Sequence, residues 1–572
     1  MMIILLLELL LLLLPSITIT VTNAISSTSS PFRCLVLVDP VCDYLSGHCR
    51  KYCQTNSIEL IECLSPYMIG YMQSKGVDVP DVYRAPTEGY EKDWVQKKGL
   101  NSNYNDDNSI DDVDIDDDDD DDTATNNNNN NNIIAVLSES DAGVATAERI
   151  QAAIGCPGNG VTPSLRNKFL MNLKGREKGL KTVEQILAKT WDEAEEFIEH
   201  LWNNDGNVNK AVVVKPYRGV ASDGVYLANT ISKASEAFYS LIGKPKYAGG
   251  INDAVLIQQY ADGQEYAVDT VAANGIIKIV ALWRYKKMAA NGAPFVYQCS
   301  ELVDVSSEEE KEVCDYCIKI LQAQDLKWGP THTEIKYTSD GPRLIEINAR
   351  WHAQHFMPIV QSCIGYDAIT SSLDGYFDPV KFQSLPIYPI RKKSAGLILH
   401  LVSYREGLVT AINHLEEINE LASVILVDLD VEIGQSIVKT VDIRTDFGYV
   451  LLCHESEEQV LKDFNYIVQL QRTMIEVEDA DTIKYNPKIN NNSNNNNNKN
   501  VEEEDDYEED DDYDAVDKYE LREDNAIHSS NSPSILNSVF NSIRKLVGGT
   551  VIIAVSSYVI SLIIVMFISH FK

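Results

Sequence analysis

Thr331-His332-Thr333-Glu334-Ile335-Lys336-Tyr337, then Thr338-Ser339-Asp340-Gly341-Pro342, then Arg343-Leu344-Ile345-Glu346-Ile347-Asn348-Ala349-Arg350: in order, these segments read as a strand, a turn and a returning strand. Glu334 and Glu346 fall on the two strands of one hairpin. Glu346 and Asn348, two apart, point to the same face. Three hard oxygen donors on one sheet face, followed by Arg350, suit Mg²⁺ shared with phosphates. The apolar Leu344, Ile345 and Ile347 imply that both faces are covered. A buried carboxylate pair without a cation would be costly.

Working upstream, Ala211-Val212-Val213-Val214-Lys215-Pro216 is a strand that runs into a small-residue loop, Tyr217 to Gly224. Such a hairpin tip can lay backbone N–H groups on phosphates, with Lys215 as a point charge beside them. Taken alone it is an ordinary turn. Val255 to Tyr260 is a further apolar run, Glu265 to Val271 alternates as a strand, and Ile276 to Trp283 is its hairpin partner. Nearer the N-terminus, Phe32 to Asp39 and Ile133 to Leu137 read as buried strands. A turn is expected over Pro40 to Gly47, a helix over Ser57 to Ser74 with Pro66 as a break or kink, and another helix over Val144 to Ile154. Strand–helix–strand–helix order implies a parallel α/β layer. Downstream of Ser394 come GLILHLV, a helix near Ala411 to Leu421, SVILVDLDV, YVLLCH and a last helix from Ser456, with Gln459 placed as in a capping box.

The order Lys168, Lys215 with its small-residue loop, Gln258-Gln259-Tyr260-x-x-Gly263-x-Glu265, Glu334 and Glu346-x-Asn348-x-Arg350 resembles that of ATP-grasp enzymes. Ser138-Glu139-Ser140 with Ala147-Glu148-Arg149, Arg166-Asn167-Lys168, Ser222-Asp223-Gly224-Val225 and Leu282-Trp283-Arg284-Tyr285 are similar to the carboxylate–amine ligases of the L-amino acid ligase and carnosine synthase group. The resemblance spans Phe32 to Glu478 apart from one insert. It implies α/β and α+β multidomain architecture: an N-terminal parallel-sheet domain (32–160), an ATP-grasp domain (161–390, with a lid at about 205–265) and a C-terminal accessory domain (391–478). It implies that Lys168 and Lys215 contact the ATP phosphates and that Gly219, Ser222, Asp223 and Gly224 close over them. Gln259, Tyr260 and Ala261 would flank adenine and Glu265 the ribose. Glu334, Glu346 and Asn348 would hold Mg²⁺, with Mn²⁺ as a substitute, and Arg350 would stabilise the transferred phosphoryl group. The implied substrates are a small carboxylate and an amine, amino acids first. Two departures are Gln258-Gln259, where an acidic residue is common, and Trp351-His352-Ala353-Gln354-His355, where relatives carry small glycines. His352 and His355 fit core or pocket-wall packing better than a metal site. A non-catalytic ATP-binding membrane scaffold, and a ligase or carboxylase acting on a non-amino-acid carboxylate, are open alternatives.

The chain has 572 residues, 44% hydrophobic and 23% charged, with a net charge of −36. That length predicts two to four domains. Asp106 to Asp122 holds 12 Asp and Glu502 to Asp517 holds 12 Asp or Glu, so 24 of the 36 excess charges lie in two runs. These runs, with the Asn tracts beside them, read as a surface insert (99–132) and a self-repelling tether (479–543). No Lys/Arg stripe is present to neutralise nucleic-acid phosphates. The eleven cysteines match neither a disulfide scaffold nor a common zinc pattern and read as reduced thiols. Residues 1–24 resemble a signal peptide, although a basic n-region is lacking. Leu546 to Ser569, 24 residues without a charge, is long enough to cross a bilayer as one helix. The expectation is a single-pass C-terminal membrane anchor. Arg544 and Lys545 favour a cytosolic body and a signal peptide favours a lumenal one, so the side stays open. A homo-oligomer is compatible with the sequence.

Overall fold

A computed structural model describes residues 33–98, 132–204, 211–219, 223–245, 250–390 and 392–478. The signal-like segment 1–24, the Asp/Asn insert, the tether and the apolar stretch 546–569 lie outside the described residues. Among the described residues no helix is long and apolar enough to cross a membrane.

The N-terminal domain is a parallel sheet in the order β2-β1-β3, made of β1 (Arg33–Val38), β2 (Ile58–Cys63) and β3 (Asn132–Ser138). Two expectations fail here. The turn over Pro40 to Gly47 gives way to the helix Asp43–Thr55, started by Cys42, whose Sγ accepts the Leu45 N–H. The helix over Ser57 to Ser74 is instead β2 followed by the helix Pro66–Ser74. Pairing with β1 makes Ile58 to Cys63 a strand. Pro66 sits in the first turn, where its missing N–H costs nothing, with Ser65 as N-cap.

A small antiparallel sheet, order β4-β7-β5-β6, comprises β4 (Gln185–Ala188), β5 (Val212–Lys215), β6 (Tyr226–Ala228) and β7 (Val255–Gln259). The stretch 205–265 contributes three of its strands, and the fourth, β4, precedes that stretch. Ile198, Val212, Val214, Phe238 and Ile257 fill its core against the helices Trp191–Asn204 and Ile231–Leu241.

The largest sheet carries the chemistry. It contains β8 (Gln264–Ala273), β9 (Ile276–Ala290), β10 (Ala293–Val303), β11 (Gly329–Thr338), β12 (Gly341–Asn348) and β13 (Ala395–His400). Further strands are β14 (Gly407–Ile412), β15 (Val424–Leu429), β16 (Ser436–Ile437), β17 (Gly448–His454) and β18 (Ile475–Glu478). The eight-stranded order is β12-β11-β8-β9-β10-β13-β17-β15, whereas β16, β14 and β18 form a separate sheet. The C-terminal stretch therefore continues the sheet that holds Glu334 and Glu346 instead of standing apart. One face packs on the helices Glu308–Ala323 and Glu457–Met474, through Val313, Ile320, Leu399 and Ile467 among others. The N-terminal domain and the helix Phe356–Cys363 cover part of the other face, through Leu35, Leu37, Trp283 and Phe356. The helix expected near Ala411 to Leu421 is shorter, Leu415–Asn419, because β14 runs on to Ile412. Ser456 caps the last helix, but its capping box is half made. The Gln459 N–H donates to Ser456 Oγ, while the Gln459 side chain turns to Asp463, 2.8 Å away.

Candidate active site

The β11–β12 hairpin sets Glu334 directly opposite Glu346 and His332 opposite Asn348. Directly opposed antiparallel residues share a face. The same face carries Glu265 on β8, opposite Lys336 and Tyr285, and Lys287 on β9, opposite Tyr297. The turn that starts β8 needs Gly263. Its φ is +152°, and a Cβ there would stand 1.9 Å from the Tyr337 carbonyl oxygen.

Two lysines arrive from outside this sheet. Lys168 is the first residue of the helix Lys168–Glu177, whose N-cap Asn167 accepts the N–H groups of Phe169 and Leu170. Its Nζ lies 2.6 Å from Glu346 Oε2 and donates to the Gly219 carbonyl at 2.7 Å. Lys215 ends β5 with 5% of its surface exposed. Burial, and then the neighbouring Lys168 charge, bring its pKa from 10.5 down to about 8. Glu346 is held below the usual carboxylate range: burial works against its charge, and Lys168 more than reverses that. Glu334 is pushed up by burial and by the charges of Glu346 and Glu265. Among the described residues no side-chain hydrogen bond or ion pair reaches the Glu334 carboxylate. Asn348 Nδ2 lies 3.2 Å from Glu346 Oε1 and 3.0 Å from His332 Nε2.

The expected nucleotide residues divide. Lys168, Lys215, Glu265, Glu334, Glu346, Asn348 and the Gly219 carbonyl come together. Glu265 pairs with Lys287 at 2.6 Å and with Lys336 at 3.8 Å. Gln259 N–H donates to the Glu184 carbonyl, Tyr260 N–H to that of Ala211, and Ala261 is buried. The Tyr260 ring stacks on Phe295, with Lys336 Nζ 5.2 Å from its centroid. Asp223 instead pairs with Arg444 at 3.0 Å. Gly224, at φ +66°, packs against Pro216 and Leu241. Ser222 lies outside the described residues. Arg350 is forked onto Asp141, at 2.7 Å from Nε and 2.6 Å from Nη2.

Sequence reading missed Lys287, Lys336 and Asp141. Lys336 was accessible through its two-residue spacing from Glu334. Lys287 and Asp141 are placed only by tertiary pairing. His352 is a packed residue: Nδ1 lies 2.9 Å from Asp269 Oδ1, Nε2 lies 2.9 Å from Tyr285 Oη, and the ring is sandwiched between His332 and Phe356. His355 packs against Phe356 and Tyr449. All eleven cysteines are free thiols.

Lys168, Lys215, Lys287 and Lys336 face Glu265, Glu334 and Glu346, a surplus of one cation that favours a polyphosphate anion. Among the described residues no three His, Cys, Asp or Glu side chains could hold a metal by themselves. That suits Mg²⁺, which takes one or two carboxylates and fills its shell with water and substrate phosphates. The opposed Glu334 and Glu346 with Asn348 fit such an ion.

The fold and the arrangement of the site are similar to those of ATP-grasp proteins. Residues 208–359 match the family model for the ATP-grasp domain. The chain is 29% identical over 253 residues to dapdiamide A synthase of Enterobacter agglomerans, a match covering 44% of this chain and 58% of that protein. It is 22% identical over 330 residues to the L-arginine-specific L-amino acid ligase of Bacillus subtilis, covering 57% and 76%. Its fold is similar to the crystal structure of L-amino acid ligase from Bacillus licheniformis, with a TM-score of 0.57 and 15% identity over 79% of this chain and 100% of that one. The chain thus spans less than two thirds of the length of dapdiamide A synthase.

Proposed function

We propose that this protein is an ATP-dependent carboxylate–amine ligase that forms an amide bond, with amino acids as the first substrates to test. The carrying observation is the opposed pair Glu334/Glu346 on one sheet face, with Lys168 and Lys215 directed at it from two other elements. In the proposed reaction a carboxylate oxygen attacks the γ-phosphorus and the bond to ADP breaks. An amine then attacks the acyl carbon, the C–O bond breaks and phosphate leaves with the carboxylate oxygen. The amine's proton is lost to solvent. Glu334, Glu346 and Asn348 would hold Mg²⁺, which when bound offsets the charge on the transferring phosphoryl group. Lys168 and Lys215 neutralise the phosphates, and burial of Lys215 strengthens that interaction by excluding water. The site needs no protein nucleophile. The relatives' names support an amino-acid substrate class. Membrane attachment through 546–569 belongs to the same proposal and rests on the sequence. The test is incubation with Mg-ATP and pooled amino acids. Amino-acid-dependent ADP with a product at the summed mass less water supports the reading. Nucleotide binding without ADP across wide carboxylate and amine pools overturns it.

A further inference from the structure

We infer that Asp141, on the N-terminal domain, is a positioning residue for Arg350: its carboxylate holds the guanidinium beside Glu334 and Glu346 and keeps it from pairing with them. For its catalytic consequence this rests on the ligase reading. The geometry stands without it. Asp141 and Arg350 are 209 residues apart, yet both Asp141 oxygens are taken by Arg350, and Arg350 Nη1 donates to the Trp351 carbonyl at 2.8 Å. Three of the five guanidinium N–H groups are thereby fixed. The plane is set from one edge, and one N–H on each terminal nitrogen is left over.

The Asp141 mount is rigid. It opens the helix Asp141–Ile154, whose N-cap Ser140 accepts the Gly143 N–H at 2.9 Å. Ser140 Oγ donates to Asp39 at the end of β1, and Asp39 is also held by the Ser65 N–H and hydroxyl. A Cβ at Gly143 would come within 2.4 Å of Ser138 Oγ and 2.6 Å of Asp39 Oδ2, so the helix start is fitted closely against β1 and β3. A carboxylate in the first turn of a helix is stabilised by the aligned backbone dipoles.

Lys168 shows what a cation without a carboxylate partner elsewhere does at this site: besides its bond to the Gly219 carbonyl, it pairs with Glu346 at 2.6 Å. Arg350 stands two residues beyond Asn348, at the end of β12, the strand that carries Glu346, and it senses the charges of Glu346 and Glu334. Released from Asp141, it would compete for the same two carboxylates that a metal needs. The fork removes that competition and leaves the guanidinium beside the site.

The experiment measures Mn²⁺ binding by electron paramagnetic resonance, in the full chain with a non-hydrolysable ATP analogue. It compares wild type, Asp141→Asn, Arg350→Gln and the double variant. Asp141→Asn should weaken Mn²⁺ binding about tenfold or more, the usual cost of losing a group that orients a metal site. Arg350→Gln in the same chain should restore it to within about twofold of wild type, because two residues in direct contact couple and removing the guanidinium removes the competitor that Asp141 restrains. A fork that only pins two domains predicts equal weakening in Asp141→Asn and the double variant, or none in either, and both results overturn the inference. Should Asp141→Asn fail to fold, Asp141→Glu keeps the charge on a longer arm. It should retain Mn²⁺ binding while lowering kcat at saturating Mg-ATP; retained binding with unchanged kcat refutes a positioning role. A wild type that binds Mn²⁺ but forms no ADP with any substrate pair removes the ligase reading, and the Mn²⁺ comparison still decides the role of Asp141.

Discussion

Replacing Lys215 by methionine should stabilise the nucleotide-free protein at neutral pH while removing much of its affinity for ATP. Lys215 is 5% exposed and shares its surroundings with Lys168. Its pKa drops from 10.5 to about 8. At about 1.4 kcal/mol per pH unit, that difference amounts to roughly 3 kcal/mol of strain in the charged form. The folded chain therefore gives up this proton before the unfolded chain does. Below about pH 8 the full penalty is present. Between about pH 8 and 10.5 unfolding takes up a proton, so wild-type stability rises with pH. Methionine fills similar volume without the charge, so Lys215→Met should raise unfolding stability by about 1–3 kcal/mol at pH 7, a gain that shrinks above pH 8 and vanishes near pH 10.5. Urea titrations of both proteins at pH 7, 9 and 10 measure this. ATP phosphates should draw the proton back, so at pH 8.5 wild-type binding should take up a proton. Calorimetry in buffers of different ionisation enthalpy detects that uptake. A variant destabilised at pH 7, or stabilised equally at every pH, would refute the reasoning.

Glu346→Gln frees Lys168 and removes one of the two opposed carboxylates, so ATP turnover should fall at least about 10²-fold with the fold intact by circular dichroism. Gly263→Ala places a Cβ against the Tyr337 carbonyl. It should cost more than about 2 kcal/mol, read as a drop in Tm. In sealed vesicles carrying the full chain, a protease that cuts within Asn491 to Asp517 reports the side of the body. Cleavage without detergent places residues 491–517 outside the vesicle, protection places them inside, and release of the whole chain by a carbonate wash refutes a membrane anchor.

The carboxylate hairpin was legible because strand alternation and a turn sequence fix which side chains share a face. Glu334, Glu346 and Asn348 need only that local geometry. Lys168 and Lys215 could be placed in order along the chain but not in space, and their convergence on Glu346 depends on how the helix Lys168–Glu177 and the small sheet pack on the large sheet. Asp141 and Lys287 carried no local signal, since their roles arise from pairing with Arg350 and Glu265. The misread helix at Ser57 to Ser74 has a plain cause. Ile58 to Cys63 is six residues long, and its pairing with β1 outweighs any helical pattern. Cys42 as an N-cap escaped because its sulfur is a weak acceptor compared with the usual oxygens.

The central claim is that ATP activates a carboxylate by phosphoryl transfer at Glu334, Glu346, Lys168 and Lys215. The most direct measurement uses a substrate with both carboxylate oxygens replaced by ¹⁸O and follows the released phosphate by mass spectrometry. One ¹⁸O per phosphate, formed together with ADP and absent in Glu346→Gln, is the predicted result. Phosphate free of ¹⁸O, or AMP in place of ADP, would contradict the account.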